Sequence, residues 1–168
     1  RAMIFITHLG GSYVVWPVTA LISLVLWFKS RKAEAKFLVA AMSGGELLNQ
    51  ALKWAIRRAR PEPPSELIQA WGWSYPSGHT FLSVLFYFSI AYLIFLYFRS
   101  RKAGWVFFSI AGILAVLIAF SRVYLMVHFP SDVLAGLTAG LLWFSLCVAV
   151  AEHYRRNEHP LRKTGKRP

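Results

Sequence analysis

Disulfide bonding within the chain is closed off, because Cys147 is its one cysteine among 168 residues. Cys147 lies inside an apolar run and reads as a small buried hydrophobe, so it carries no information about redox compartment. Acidic residues are also scarce. Seven Asp and Glu stand against 19 Lys and Arg, giving a formal net charge of +12 in a chain that is 57% hydrophobic. A small soluble domain rarely combines so much apolar content with so strong a positive charge. Long apolar spans joined by basic loops account for both features, and that is the pattern of a membrane protein. No internal repeat or low-complexity segment is visible.

Five apolar runs can be marked out. They cover about Ser12 to Phe28, Ala35 to Trp54, Thr80 to Phe98, Gly104 to Phe120 and Ser131 to Ala151. Each is close to the roughly 17–25 residues that a membrane helix needs. We therefore expect an all-α, polytopic transmembrane helix bundle with five visible spans. Residues 1–154 would form one transmembrane catalytic domain and residues 155–168 a basic cytoplasmic tail. Residues 1–11 are mildly apolar and end in Gly10-Gly11, a break before the first span. The sequence opens at Arg1 without a Met, from which we expect further residues upstream.

Three basic clusters set the orientation: Lys29-Ser30-Arg31-Lys32, Arg99-Ser100-Arg101-Lys102 and the tail. Even numbers of crossings separate them, so they share one side, and the excess of Lys and Arg makes it the cytoplasmic one. The loop 57–76 and the turn 122–130 then face outward. Arg57, Arg58, Arg60 and Arg122 lie on the side where basic residues are disfavoured, and an anionic ligand is a sufficient reason for them.

Three outward-facing stretches carry candidate chemistry. At the end of the second span, Lys53 and Arg60 are seven residues apart, so both point along one face if the helix continues. Pro61 places Arg60 at or just past the helix end. The plain alternative is a snorkelling basic collar. The third span opens with Pro76-Ser77-Gly78-His79. Ser77 suits an N-cap, Gly78 permits close backbone approach, and the orphan amides of a helix start attract anions. His79 sits there as a candidate proton donor, or simply as an interfacial side chain beside an ordinary cap. The last stretch is Ser121-Arg122, then His128 and Asp132. A carboxylate four residues after a His fixes its tautomer and raises the basicity of the other ring nitrogen, if the chain between them turns. A basic anchor followed by a helix cap is the alternative.

In this order, the three stretches resemble the type 2 phosphatidic acid phosphatase superfamily, with its pattern K-x-x-x-x-x-x-R-P, P-S-G-H and S-R-x-x-x-x-x-H-x-x-x-D. Lys53, Arg60 and Pro61; Pro76, Ser77, Gly78 and His79; and Ser121, Arg122, His128 and Asp132 fill every fixed position. The resemblance covers about Lys53 to Asp132 and implies a six-helix membrane fold whose first helix is missing from this sequence. It implies hydrolysis of a phosphate ester or pyrophosphate without a cofactor or metal. His128 would be the nucleophile and Asp132 its orienting carboxylate. His79 would act as acid and then base, while Lys53, Arg60, Arg122, Ser77 and the Gly78 amide hold the phosphoryl oxygens. Dense cations at the site disfavour a divalent ion there.

Glu46, Asn49, Gln50 and Lys53 fall at helical spacing on the second span, where an ionisable residue is a functional candidate by default. Glu46 is a candidate pocket residue, with a buried interhelical polar contact as its alternative. Trp16, Trp54, Trp71, Trp73 and Tyr75 read as interfacial aromatics, and Tyr75 is a second candidate for the pocket or its lip. The basic tail suits anionic cytoplasmic lipid, and nothing supports a folded nucleic-acid reader.

The expected partners are the bilayer and a lipid phosphate entering sideways from the outer leaflet. Phosphatidylglycerol phosphate, phosphatidic acid and undecaprenyl pyrophosphate are the substrates that the resemblance suggests, in a bacterial cell membrane. Three alternatives remain: a membrane phosphatase for a soluble ester, a relative of the vanadate-holding haloperoxidases, and a non-catalytic lipid-binding or transport protein. The spans argue against the haloperoxidase reading, and the intact His79, His128 and Asp132 argue against the non-catalytic one.

Overall fold

The computed structural model describes residues 1–62, 68, 70–98 and 100–158. Arg99 of the second basic loop and residues 159–168 of the tail lie outside the described residues. The described residues form six helices, α1 (Ala2–Leu9), α2 (Ser12–Phe28), α3 (Lys32–Ile56), α4 (Gly78–Phe98), α5 (Arg101–Tyr124) and α6 (Pro130–Glu158), and no strand.

The apolar runs and the helices coincide closely. Where they differ, polar or basic residues extend a helix beyond its apolar run, as at Lys32, Arg101 and Glu158. Helix α6 thus continues past Ala151 into the stretch read as tail. Residues 2–9 form a helix of their own, and Gly10-Gly11 is a bend of 41° between α1 and α2 rather than the edge of an unstructured segment. By length and composition, α4, α5 and α6 can each cross a bilayer, as can the bent α1–α2 pair taken as one span. Helix α3 falls short of that apolarity because Glu46, Asn49, Gln50 and Lys53 occupy one of its faces. Its 25 residues still reach about 38 Å at 1.5 Å per residue.

Helix α4 is the hub, packing against α2, α3, α5 and α6. Val15 of α2, Leu38 and Met42 of α3, and Phe81 and Leu85 of α4 are wholly buried between them. Helices α5 and α6 turn Trp105, Ile113, Leu142 and Leu146 outward. An apolar exterior of that extent suits hydrocarbon and would be a liability in water.

One close packing contact positions the site. Gly136 and Gly140 lie one turn apart on α6, where a Cβ would come within 2.9 Å of the Ser77 carbonyl oxygen and 3.0 Å of Val84 Cβ respectively. Small residues at this spacing let two membrane helices approach backbone to backbone. The approach lets the Ser77 amide donate to the Asp132 carbonyl at 3.0 Å, which ties the start of α4 to the first turn of α6.

Candidate active site

His128 sits on a short turn between α5 and α6. Leu125 and Val127 anchor the turn by burying their side chains, and Met126 adopts a left-handed backbone with φ 56°. The turn presents the His128 ring with Nδ1 toward α6 and Nε2 toward a cavity of about 290 Å³. Asp132, wholly buried in the first turn of α6, places Oδ2 3.5 Å from His128 Nδ1.

Ser74 stands between the two. Its hydroxyl lies 3.3 Å from His128 Nδ1 and donates to Asp132 Oδ2 at 2.5 Å. The Phe129 amide also donates to Asp132 Oδ2, at 3.0 Å, and Arg58 Nη1 donates to Asp132 Oδ1 at 2.9 Å. A carboxylate held this way accepts a proton-bearing Nδ1 directly or through Ser74, which leaves the Nε2 lone pair facing the cavity. Arg60 Nη1 lies 3.2 Å from that Nε2. Burial pushes the His128 imidazole down to about 4, against the raising pull of the Asp132 hydrogen bond, so its neutral form prevails.

The three cations share the site unequally. The Pro61 rule places Arg60 at or just past the helix end, but α3 stops at Ile56. There Arg57 turns left-handed at φ 49° and its amide donates to the Lys53 carbonyl. Arg60 therefore reaches the site from a loop rather than along the helical face of Lys53. It donates to the carbonyls of Gly72, Trp71 and Val127 at 2.8–3.0 Å, so much of its guanidinium holds the loop between α3 and α4 on the His128 turn. Lys53 Nζ likewise donates to the Trp73 and Pro76 carbonyls, both at 2.8 Å. Arg122 is buried at the end of α5, where Nη1 donates to Thr7 Oγ1 of α1 at 2.8 Å. Its Nε is without a partner among the described residues.

Lys53, Arg60, Gly78, His79, Arg122 and His128 all line the cavity, and so does Glu46. The other sequence candidates lie elsewhere. Asp132 is behind His128. Ser77 is wholly buried at the N-cap position of α4, where its Oγ accepts from the Thr80 hydroxyl at 3.0 Å. Tyr75 is not part of the cavity wall. Arg58 also has a different explanation from the one its sequence position suggests: its anionic partner is Asp132, not a ligand. Arg57 packs over the exposed Trp54 ring, 5.2 Å from its centroid. Sequence reading missed Ser74, the Arg58–Asp132 pair, and the contributions of Thr7 and His8 from α1.

A helical membrane protein with a buried, carboxylate-oriented histidine facing a cationic cavity is built for phosphoryl chemistry. The chain belongs to the PAP2 superfamily, whose family model matches residues 34–156, and it is a membrane phosphatase of that class.

Its relatives include phosphatidylglycerophosphatase B of Bacillus subtilis, 37% identical over 158 residues that cover 93% of this chain and 77% of that protein. An undecaprenyl-diphosphatase of Sulfolobus acidocaldarius is 34% identical over 149 residues, covering 85% of this chain and 66% of that protein. Among solved structures, the transmembrane PAP2-type phosphatidylglycerolphosphate phosphatase of Bacillus subtilis superposes with a TM-score of 0.83 at 36% identity. That match covers 90% of this chain and 76% of the other. LpxE of Aquifex aeolicus superposes with a TM-score of 0.62 at 27% identity, covering 88% and 83%.

Proposed function

We propose that this protein hydrolyses the phosphomonoester or diphosphate of a membrane lipid on the extracytoplasmic face, through a phosphohistidine on His128. The observation that carries the reading is the orientation of His128: Nδ1 against Ser74 and Asp132, and Nε2 toward a cavity lined by Lys53, Arg60 and Arg122. The names of the relatives, a phosphatidylglycerophosphatase and an undecaprenyl-diphosphatase, support a lipid substrate.

In the first step the Nε2 lone pair forms a bond to phosphorus while the bond to the leaving oxygen breaks. His79, in the first turn of α4, gives that oxygen its proton. In the second step His79 takes a proton from water, the hydroxide bonds to phosphorus, and the P–N bond breaks to return His128 and release phosphate. One residue serves both directions because the second step reverses the proton demand of the first. Arg122 retains donors unclaimed by the outer loop and is the principal clamp on the phosphoryl oxygens. Lys53 and Arg60 contribute positive charge while shaping the wall.

Ser12, Tyr13 and Gln50 are exposed residues on the rim of the cavity, where the start of α2 meets α3. A rim open between two helices supports sideways entry of a lipid, whose tails stay in hydrocarbon while its phosphate meets the cations. The test is phosphate release by the detergent-purified protein from phosphatidylglycerol phosphate, phosphatidic acid, undecaprenyl pyrophosphate and a water-soluble phosphate ester, with and without chelator. Release from a lipid that persists in chelator is expected. Turnover of the soluble ester alone, or activity lost in chelator and restored by a divalent ion, would contradict the proposal.

A further inference from the structure

A second cavity, of about 920 Å³, opens between α3, α4 and α6 at the end of the bundle away from the active site. Its α3 residues run from Lys32 to Ala40. Lys36 lies 17 residues before Lys53, about 26 Å along the helix axis at 1.5 Å per residue. That separation is close to the roughly 30 Å of a bilayer's hydrocarbon core. The side chains explain the space. Helices α3 and α6 meet where Trp143 Nε1 donates to the Ala41 carbonyl at 3.0 Å and where a Cβ on Gly44 would come within 2.6 Å of the Trp143 ring. Beyond that contact the facing residues are small, Ala33 and Ala40 on α3 and Ala151 on α6, and a gap stays open. Phe37, Leu93, Leu146 and Val150 make its walls apolar.

The rim is charged, and unevenly. Glu34 is matched by Arg31 at 2.9 Å, and Arg155 by Glu152 at 2.7 Å. Lys32 and Lys36 are four residues apart and share a face of α3. Lys32 Nζ lies over the Trp27 ring, 5.3 Å from its centroid, and Lys36 has no hydrogen bond or ion pair among the described residues. Two positive charges are thus left without an acidic partner. Lys36 also lines an apolar cleft of about 600 Å³ between α2 and α3, whose walls include Leu24, Trp27 and Val39. It stands where the two spaces meet.

We propose that these two clefts hold one anionic phospholipid of the leaflet opposite the active site, its phosphate between Lys32 and Lys36 and one acyl chain in each cleft. The inference goes beyond the phosphatase reading and does not depend on it. Apolar walls under a cationic rim fit an amphipathic anion, and each lysine near the membrane surface contributes about a fivefold gain in affinity for it. A zwitterionic headgroup brings an ammonium to the same two lysines and gains no net attraction. A free anion leaves the apolar walls uncovered, and a second copy of this chain brings the same excess of positive charge. In the bundle the lipid ties α2 and α6 to α3.

The test titrates the detergent-purified protein with phosphatidylglycerol or phosphatidylcholine and counts bound lipid by native mass spectrometry. One phosphatidylglycerol is expected to bind about twentyfold more tightly than phosphatidylcholine, roughly fivefold for each lysine. It should stay bound when inorganic phosphate fills the active site at constant ionic strength. Lys36→Gln should weaken phosphatidylglycerol about fivefold, whereas Lys29→Gln, at the same end but off both clefts, should leave it nearly unchanged. Ala151→Trp keeps every charge and fills the larger cleft, so it should lose the lipid as well. Cooperative thermal unfolding checks that each variant is folded. Equal affinity for both lipids, equal losses in Lys36→Gln and Lys29→Gln, or displacement by inorganic phosphate would overturn the proposal. So would a folded Ala151→Trp variant that binds as wild type does, since the lysines alone would then suffice.

Discussion

Removing the Ser74 hydroxyl separates two accounts of how Asp132 reaches His128. The Nδ1 to Oδ2 distance of 3.5 Å is long for a direct hydrogen bond, whereas Ser74 Oγ lies 3.3 Å from one group and 2.5 Å from the other. All three residues are nearly or wholly buried, so water does not replace the lost hydroxyl easily. A hydrogen bond to a charged acceptor contributes about 1.5–3 kcal/mol. If that contribution acts on the orientation of the nucleophile, Ser74→Ala lowers kcat/KM by roughly ten- to hundredfold.

The pH profile adds a readout that a merely structural role would not move. Burial lowers His128 to about 4 while the link to Asp132 raises it. Weakening the link removes the raising influence, so the acid limb of kcat/KM shifts to lower pH, after correction for ionisation of the substrate. The assay is phosphate release in detergent across that range, with inhibition by inorganic phosphate as the control for an intact cationic end. Activity within about twofold of wild type and an unmoved acid limb would mean that Asp132 acts on His128 without Ser74.

The division of labour between the histidines predicts selective damage: His79→Ala should reduce an alkyl phosphate about 10²–10⁴-fold but a nitrophenyl phosphate far less, because the nitrophenolate needs no proton to depart. Equal losses on both substrates would refute it. Arg122→Lys keeps the charge but loses the planar fork, and its KM should rise more than that of Arg60→Lys. Arg60→Lys should instead loosen the loop between α3 and α4, read as faster proteolysis there; the reverse pattern would exchange their roles. Gly136→Leu forces a side chain into a gap where even a Cβ meets the Ser77 carbonyl at 2.9 Å, so thermal stability in detergent should fall by at least about 1–3 kcal/mol. Unchanged stability would mean that α4 and α6 do not depend on that approach.

Much of this was legible in the chain because membrane helices depend on a simple local quantity. Run length and apolarity place α2 at Ser12–Phe28 and bound α3, α4 and α5 to within a few residues, whereas the polar end of α6 and the short α1 carry no such signal. The cationic and imidazole residues lie in short motifs, so their types and spacing indicate an anion site, and the resemblance of those motifs to the type 2 phosphatidic acid phosphatase pattern implies a phosphoryl one. What escaped notice depends on contacts across long separations. Ser74 and Arg58 meet Asp132 from 58 and 74 residues away, and no local pattern marks a loop serine as the neighbour of a buried carboxylate. Pro61 puts Arg60 at or just past a helix end, whereas α3 already stops at Ile56, because no local signal marks the left-handed turn at Arg57. Tyr75 reads as an interfacial aromatic that could form a lip to the pocket, and it is not part of the cavity wall.

The central claim is a covalent bond between His128 Nε2 and phosphorus, and trapping that intermediate tests it most directly. Rapid acid-free quenching of His79→Ala during turnover of a nitrophenyl phosphate, followed by mass mapping of the phosphate, should find an acid-labile phosphohistidine at His128 and none in the His79→Ala/His128→Ala double variant. Turnover that continues with no phosphate on His128, or phosphate on another residue, would contradict the account.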